Sequence, residues 1–142
     1  MITCVSSLSC VCSGKKKKKK KNGAGVDFFS LDLRNLCFTF IRDPVYAVRV
    51  AAMKTIASLI SHFGLQWATD HVVEHLLQLV DLGHIPRMTF CKGAEVLAPA
   101  LMQCGGVSVY IERILPALKV LSTNDVPNVR FAVAKAMQVQ YK

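Results

Sequence analysis

The chain has 142 residues and a formal charge of +9, from 18 Lys and Arg against 9 Asp and Glu. Seven of the lysines form one run, Lys15 to Lys21, and without them the charge falls to about +2, so the remaining body is not a nucleic-acid binder by charge. Apolar residues make up 52% and aromatics only 8%, which supplies a core built from small side chains, while the longest uncharged runs stop short of the ~20 residues a membrane span needs.

Residues 1–26 carry no hydrophobic period. They combine Ser, Cys, the lysine block and the Gly-rich NGAG, which is the composition of a low-complexity basic tail. The opening MITCVSSLSCVCSG lacks a basic n-region and is a poor signal peptide. The lysine run reads as a solvated segment first, and second as a nuclear signal or a patch for nucleic acid or acidic lipid. Cys4, Cys10 and Cys12 lack the paired spacing of a zinc site. Cys37, Cys91 and Cys104 fall in or beside helical patterns, where Cys acts as a small apolar residue. A reducing, cytoplasmic environment fits this usage, with the nucleus as a further location.

From residue 27 to 142 the pattern is helical. Phe28 to Ile41 reads as a helix with an irregular apolar stripe. The next stretch, DPVYAVRVAAMKTIA from Asp43, predicts a helix capped by Asp43 with Pro44 in its first turn. Val45, Val48, Ala52, Ile56, Leu59, Ile60 and Phe63 share its apolar face, and Gly64 ends it. A second helix, capped by Thr69 or Asp70, buries Val72, Val73, Leu76, Leu77, Leu79 and Val80. A third opens at Asp81–Pro86 with a stripe of Met88, Cys91, Ala94, Ala98, Leu101 and Met102; Pro99 inside it predicts a kink. After Cys104-Gly105-Gly106, Ser108 is placed to cap a partner helix that Pro116 should bend. A last helix opens at Asn124–Pro127 and has no mate before Lys142, so the array reads as truncated at its C-terminal end.

Three of these helices repeat one pattern. Arg49, Arg87 and Arg130 are each followed at +5 by a lysine: Lys54, Lys92 and Lys135. Asp43 and Asp81 stand six residues before the first two arginines, and Asn124 with Asp125 before the third. The steps between arginines are 38 and 43 residues, the period of stacked helix pairs. The fold expected is therefore all-α: an α-solenoid of about three repeats, without strands. Asp43, Arg49, Asp81, Arg87, Asp125 and Arg130 read as a structural ladder. Arg–Asp bonds between layers would fix the rotation of one repeat on the next.

The ladder resembles that of HEAT repeats. The strings DPVYAVRVAA, HFGLQWA, PRMTFCKGAEVL, ILPALKVL and PNVRFAVAKAMQ, in this order, resemble the C-terminal repeats of the scaffolding A-type subunits of protein phosphatase 2A. The resemblance covers about Asp43 to Gln140 and excludes the tail. It implies a non-catalytic scaffold, without cofactor or small-molecule substrate. Such a scaffold holds a Ser/Thr phosphatase catalytic subunit; in the family it also holds a variable regulatory subunit. The implied contacts lie in the turns between paired helices, which here contain Leu65, Gln66 and Trp67, and then Gln103. Trp67 falls on the family's tryptophan and has two readings, interface anchor or plug between neighbouring repeats. An alternative is a different HEAT adaptor, for nuclear transport or chromatin, with the lysine run as its arm.

One motif points elsewhere. His71-Val72-Val73-Glu74-His75 matches the H-x-x-E-H of zinc peptidases, in which two histidines on one helical turn share a metal and the Glu acts as base. Such an enzyme needs a larger α/β domain and a third ligand, and the downstream Glu95 and Glu112 belong to other helices. The pair is expected on an exposed helix face instead. No phosphate-loop, dinucleotide or nucleophile-elbow motif occurs, and no nucleophile, base and orienting acid can be nominated.

Overall fold

The computed structural model describes the backbone of residues 24–138 and the side chains from Asp32 onward. The lysine run Lys15 to Lys21 and Cys4, Cys10 and Cys12 lie outside the described residues. Among those described, all regular structure is helical and there is no strand. Six helices follow one another: α1 (Ala24–Ile41), α2 (Tyr46–Phe63), α3 (residues 65–77), α4 (His84–Gln103), α5 (residues 107–121) and α6 (Pro127–Gln138). None is long and apolar enough to cross a membrane.

The helices fall into two rows. In the first, α2 packs on α4 and α4 on α6. In the second, α1 meets α3 and α3 meets α5 through side chains at matched positions. Arg34 bonds His71, Phe38 stacks on His75, and Glu74 pairs with Arg113. Between the rows lies one apolar core. Met53, Ile56 and Ile60 from α2, Val72, Val73 and Leu76 from α3, Phe90, Leu97 and Leu101 from α4, and Ile114 and Leu118 from α5 are all essentially inaccessible. Each such side chain contributes about 1.5–3 kcal/mol by leaving water. Gly93 lets α4 lie close to α3: a Cβ there would stand 3.0 Å from Leu76 Cδ2.

Several helix starts differ from the sequence expectation. Helix α2 begins at Tyr46, with Asp43 and Pro44 in the preceding turn. The Asp43 carboxylate still accepts an N–H, but that of Val45, at 2.7 Å. Val45 is consequently exposed and does not join the apolar face, which Met53 joins instead. Helix α3 begins directly after Gly64, so Thr69 and Asp70 lie inside it. Thr69 donates back to the Leu65 carbonyl at 3.0 Å, and Asp70 accepts from Gln66. Ser108 likewise lies within the first turn of α5, behind Gly106, and makes no cap.

Helix α4 runs unbroken through Pro99, which faces solvent. Its end is a paired-bond terminus: Gly106 N–H donates to Leu101 O at 2.8 Å and Gly105 N–H to Met102 O at 3.0 Å. That closure needs a left-handed residue, supplied by Gly105 at φ 80°. The second-row helices α3 and α5 each contain a widened π turn, at Ala68–Val73 and Tyr110–Ile114. In α5 it ends two residues before Pro116, whose missing N–H and bulky ring oppose a regular α turn. In α3 no proline explains it.

Candidate partner-binding edge

The turns joining α2 to α3 and α4 to α5 lie against each other. Leu65, the first residue of α3, rests over Gly106: a Cβ added there would come within 2.5 Å of Leu65 Cδ1 and 3.0 Å of the Leu101 carbonyl. Beside this contact, the Cys104 thiol points at the Ile60 carbonyl, 3.7 Å away. The fold thus brings Leu65, Gln66, Trp67 and Gln103 to one edge. Leu65 is half-buried by its contact with Gly106. Gln66 and Gln103 are exposed, and Gln66 donates to both carboxylate oxygens of Asp70 at 3.1 and 3.0 Å. The sequence carries no signal for the Leu65–Gly106 approach, because it depends on how two turns meet across the stack.

Trp67 is half-buried. Its indole lies 5.1 Å from the Phe63 ring and meets the His71 ring edge-on at 5.9 Å. The indole N–H is buried and has no hydrogen-bond partner among the described residues. The aromatic cluster continues along α3. The Arg34 guanidinium donates to His71 Nδ1 at 2.9 Å, which leaves the proton of a neutral ring on Nε2. The His75 ring stacks on Phe38 with centroids 4.3 Å apart. Burial, then the charges of Arg34 and Arg42, pull the His75 pKa below its ordinary 6.5.

The zinc motif is therefore occupied in contacts between helices. His71, Glu74 and His75 face Arg34, Arg113 and Phe38 respectively. The two histidines are half-buried, not the exposed pair the sequence suggested, because α1 covers that flank of α3. Among the described residues no group of three or more His, Cys, Asp or Glu stands close enough to hold a metal ion.

The arginine ladder has a different partner from the one expected. Arg49 Nη1 donates to the carbonyls of Asp43 (2.7 Å) and Pro44 (2.9 Å). Arg130 Nη1 does the same to Asn124 (2.7 Å) and Asp125 (3.2 Å), and Arg87 Nε reaches Val80 O at 2.9 Å. Each arginine thus ties down the turn entering its own helix. Among the described residues the ion pairs are Lys92–Glu95 and Glu74–Arg113, so none joins Asp43, Asp81 or Asp125 to an arginine. The carboxylate's task at Asp43 is to accept the Val45 N–H, and Asn124 performs it equally for Val126 at 3.0 Å. A neutral amide suffices because the bond is to backbone, not to charge.

Two rows of helices, with the α2–α3 and α4–α5 turns adjoining, fit a helical, HEAT-like protein. No family model matches the chain. Over 84 residues, 56% of its length, the chain is 33% identical to the regulatory A-type subunit of protein phosphatase PP2A from Saccharomyces cerevisiae, and it spans 12% of that relative's length.

Proposed function

We propose that the described helices are an α-solenoid of HEAT repeats and that the chain is a non-catalytic scaffold for a Ser/Thr phosphatase catalytic subunit. Each repeat would comprise one first-row helix and the second-row helix after it, α2 with α3 and α4 with α5. The catalytic subunit would seat on the edge where residues 64–67 and 103–106 adjoin. The observation that supports this most is that Leu65 closes over Gly106, so the turns that carry the exposed Gln66 and Gln103 adjoin. The similarity to the yeast PP2A regulatory protein supports the choice of partner. Binding would come from many modest contacts along a row of turns. A further partner would be a variable regulatory subunit. The setting would be cytoplasmic, and nuclear as well.

The test is direct. The intact chain, immobilised, is offered purified phosphatase 2A catalytic subunit. Retention that drops in a Gln66→Arg, Gln103→Arg double variant supports the reading. No retention, or equal retention by both forms, overturns it. Recovery of transport factors or nucleic acid from an extract in place of the phosphatase would favour a different HEAT adaptor.

A further inference from the structure

The repeated pattern pairs each arginine with a lysine five residues later, and the structure separates their duties. The arginines are spent on turn carbonyls. The lysines are not. Lys54 and Lys135 make no hydrogen bond or ion pair among the described residues, and Lys92 bonds Glu95 at 2.6 Å within its own helix. All three border an open groove system crossing the first row. One groove, of about 430 Å³, is lined by Tyr46 and Arg49 of α2, Ile85 and Lys92 of α4, and Phe131 and Lys135 of α6, among others. A neighbouring one includes Lys54, Lys92 and Glu95. Its apolar groups are not tucked away: Tyr46, Ile85 and Phe131 are 59%, 51% and 69% exposed.

We propose that this groove is a second docking surface, on the first-row face, for an extended acidic peptide segment with apolar anchors. Charge selects the occupant. The three first-row helices carry Arg49, Lys54, Arg87, Lys92, Arg130 and Lys135 against the single carboxylate Glu95. The chain's own lysine run, Lys15 to Lys21, has the wrong sign to fill it. Geometry sets the register. Packed helices lie about 8–10 Å apart. An extended peptide of polyproline-II form, with three residues per turn at about 3.1 Å each, sets every third side chain on one face to meet successive lysines, and turns the residues between toward the flanking Tyr46, Ile85 and Phe131. This surface belongs to the first-row helices and does not depend on the phosphatase edge.

The experiment uses the intact chain and fluorescence anisotropy. The probe is a labelled peptide with glutamate at every third position and leucine and phenylalanine between; its counterpart has each glutamate replaced by lysine. The acidic probe should bind, weaken as salt rises, and lose about tenfold in affinity in a Lys54→Glu, Lys135→Glu double variant. Both lysines are exposed, and circular dichroism verifies that the variant folds. Phe131→Ala should also weaken binding, since the ring is exposed and not part of the core. A third variant, with Lys15 to Lys21 changed to Gln, should still bind. The proposal is overturned if the double variant binds as well as the original chain, if the lysine probe binds equally, or if changing the lysine run alone abolishes binding.

Discussion

Replacing Asp43 by Asn separates two accounts of the arginine ladder. If Asp43 instead formed an ion pair with an arginine of the ladder, Asp43→Asn would cost nearly as much as losing that arginine. In the structure Arg49 grips the Asp43 and Pro44 carbonyls, and the Asp43 side chain serves the Val45 N–H. An Asn at 43 can accept that N–H, as Asn124 does for Val126, so Asp43→Asn should change stability by less than about 0.5 kcal/mol. Asp43→Ala removes the acceptor and should cost about 1 kcal/mol. Arg49→Ala frees two carbonyls from a charged donor and also removes a guanidinium 5.6 Å from the Tyr46 ring. Hydrogen bonds from charged groups are worth about 1.5–3 kcal/mol, and partial exposure of Arg49 brings the expected loss to about 1–2 kcal/mol. Urea unfolding followed by far-UV circular dichroism measures all three, with an unchanged m-value as the control. The reasoning is refuted if Asp43→Asn matches Arg49→Ala and both losses vanish at high salt, the behaviour of an ion pair.

Other consequences are equally concrete. Gly106→Val places a side chain into Leu65 and the Leu101 carbonyl and should destabilise by about 1–3 kcal/mol, measured by the same unfolding assay; a neutral result would mean the two turns do not adjoin. His75 is neutral in the folded chain at pH values where the unfolded chain already takes up a proton. Stability should therefore fall as pH drops below about 6.5 and level off beneath the folded pKa, and His75→Phe, which keeps a ring against Phe38, should remove that part of the fall in thermal midpoint. Burial pushes the Cys91 thiol up to about 11, so in the native chain Cys91 should react with iodoacetamide far more slowly than the half-buried Cys104, as peptide mass spectrometry would read.

The sequence reveals what is periodic and hides what depends on neighbours. The stripe of α4 is legible because Cys91, Ala94, Ala98 and Leu101 recur at helical steps, and all four are buried. The start of α2 is misread by two or three residues. Asp followed by Pro has the chemistry of a cap, yet Arg49 draws the Asp43 and Pro44 carbonyls into a turn of their own. Thr69, Asp70 and Ser108 offer cap chemistry at positions where a glycine turn has already started the helix. His71 and His75 seem exposed when α3 is viewed alone; Arg34 and Phe38 cover them from 37 residues earlier in the chain. The turn residues at the candidate edge are legible as turns. That Leu65 and Gly106 touch is not, since only stacking creates the contact.

The widened turns at Ala68–Val73 and Tyr110–Ile114 have a consequence for how the chain tolerates change in length. A π turn is an α-helix holding one surplus residue. Excising a residue there would restore ordinary winding while leaving the flanking segments facing as before. Helix α3 thus contains a place where a single codon can be lost without turning its apolar stripe away from the core, whereas in α5 Pro116 still opposes regular winding.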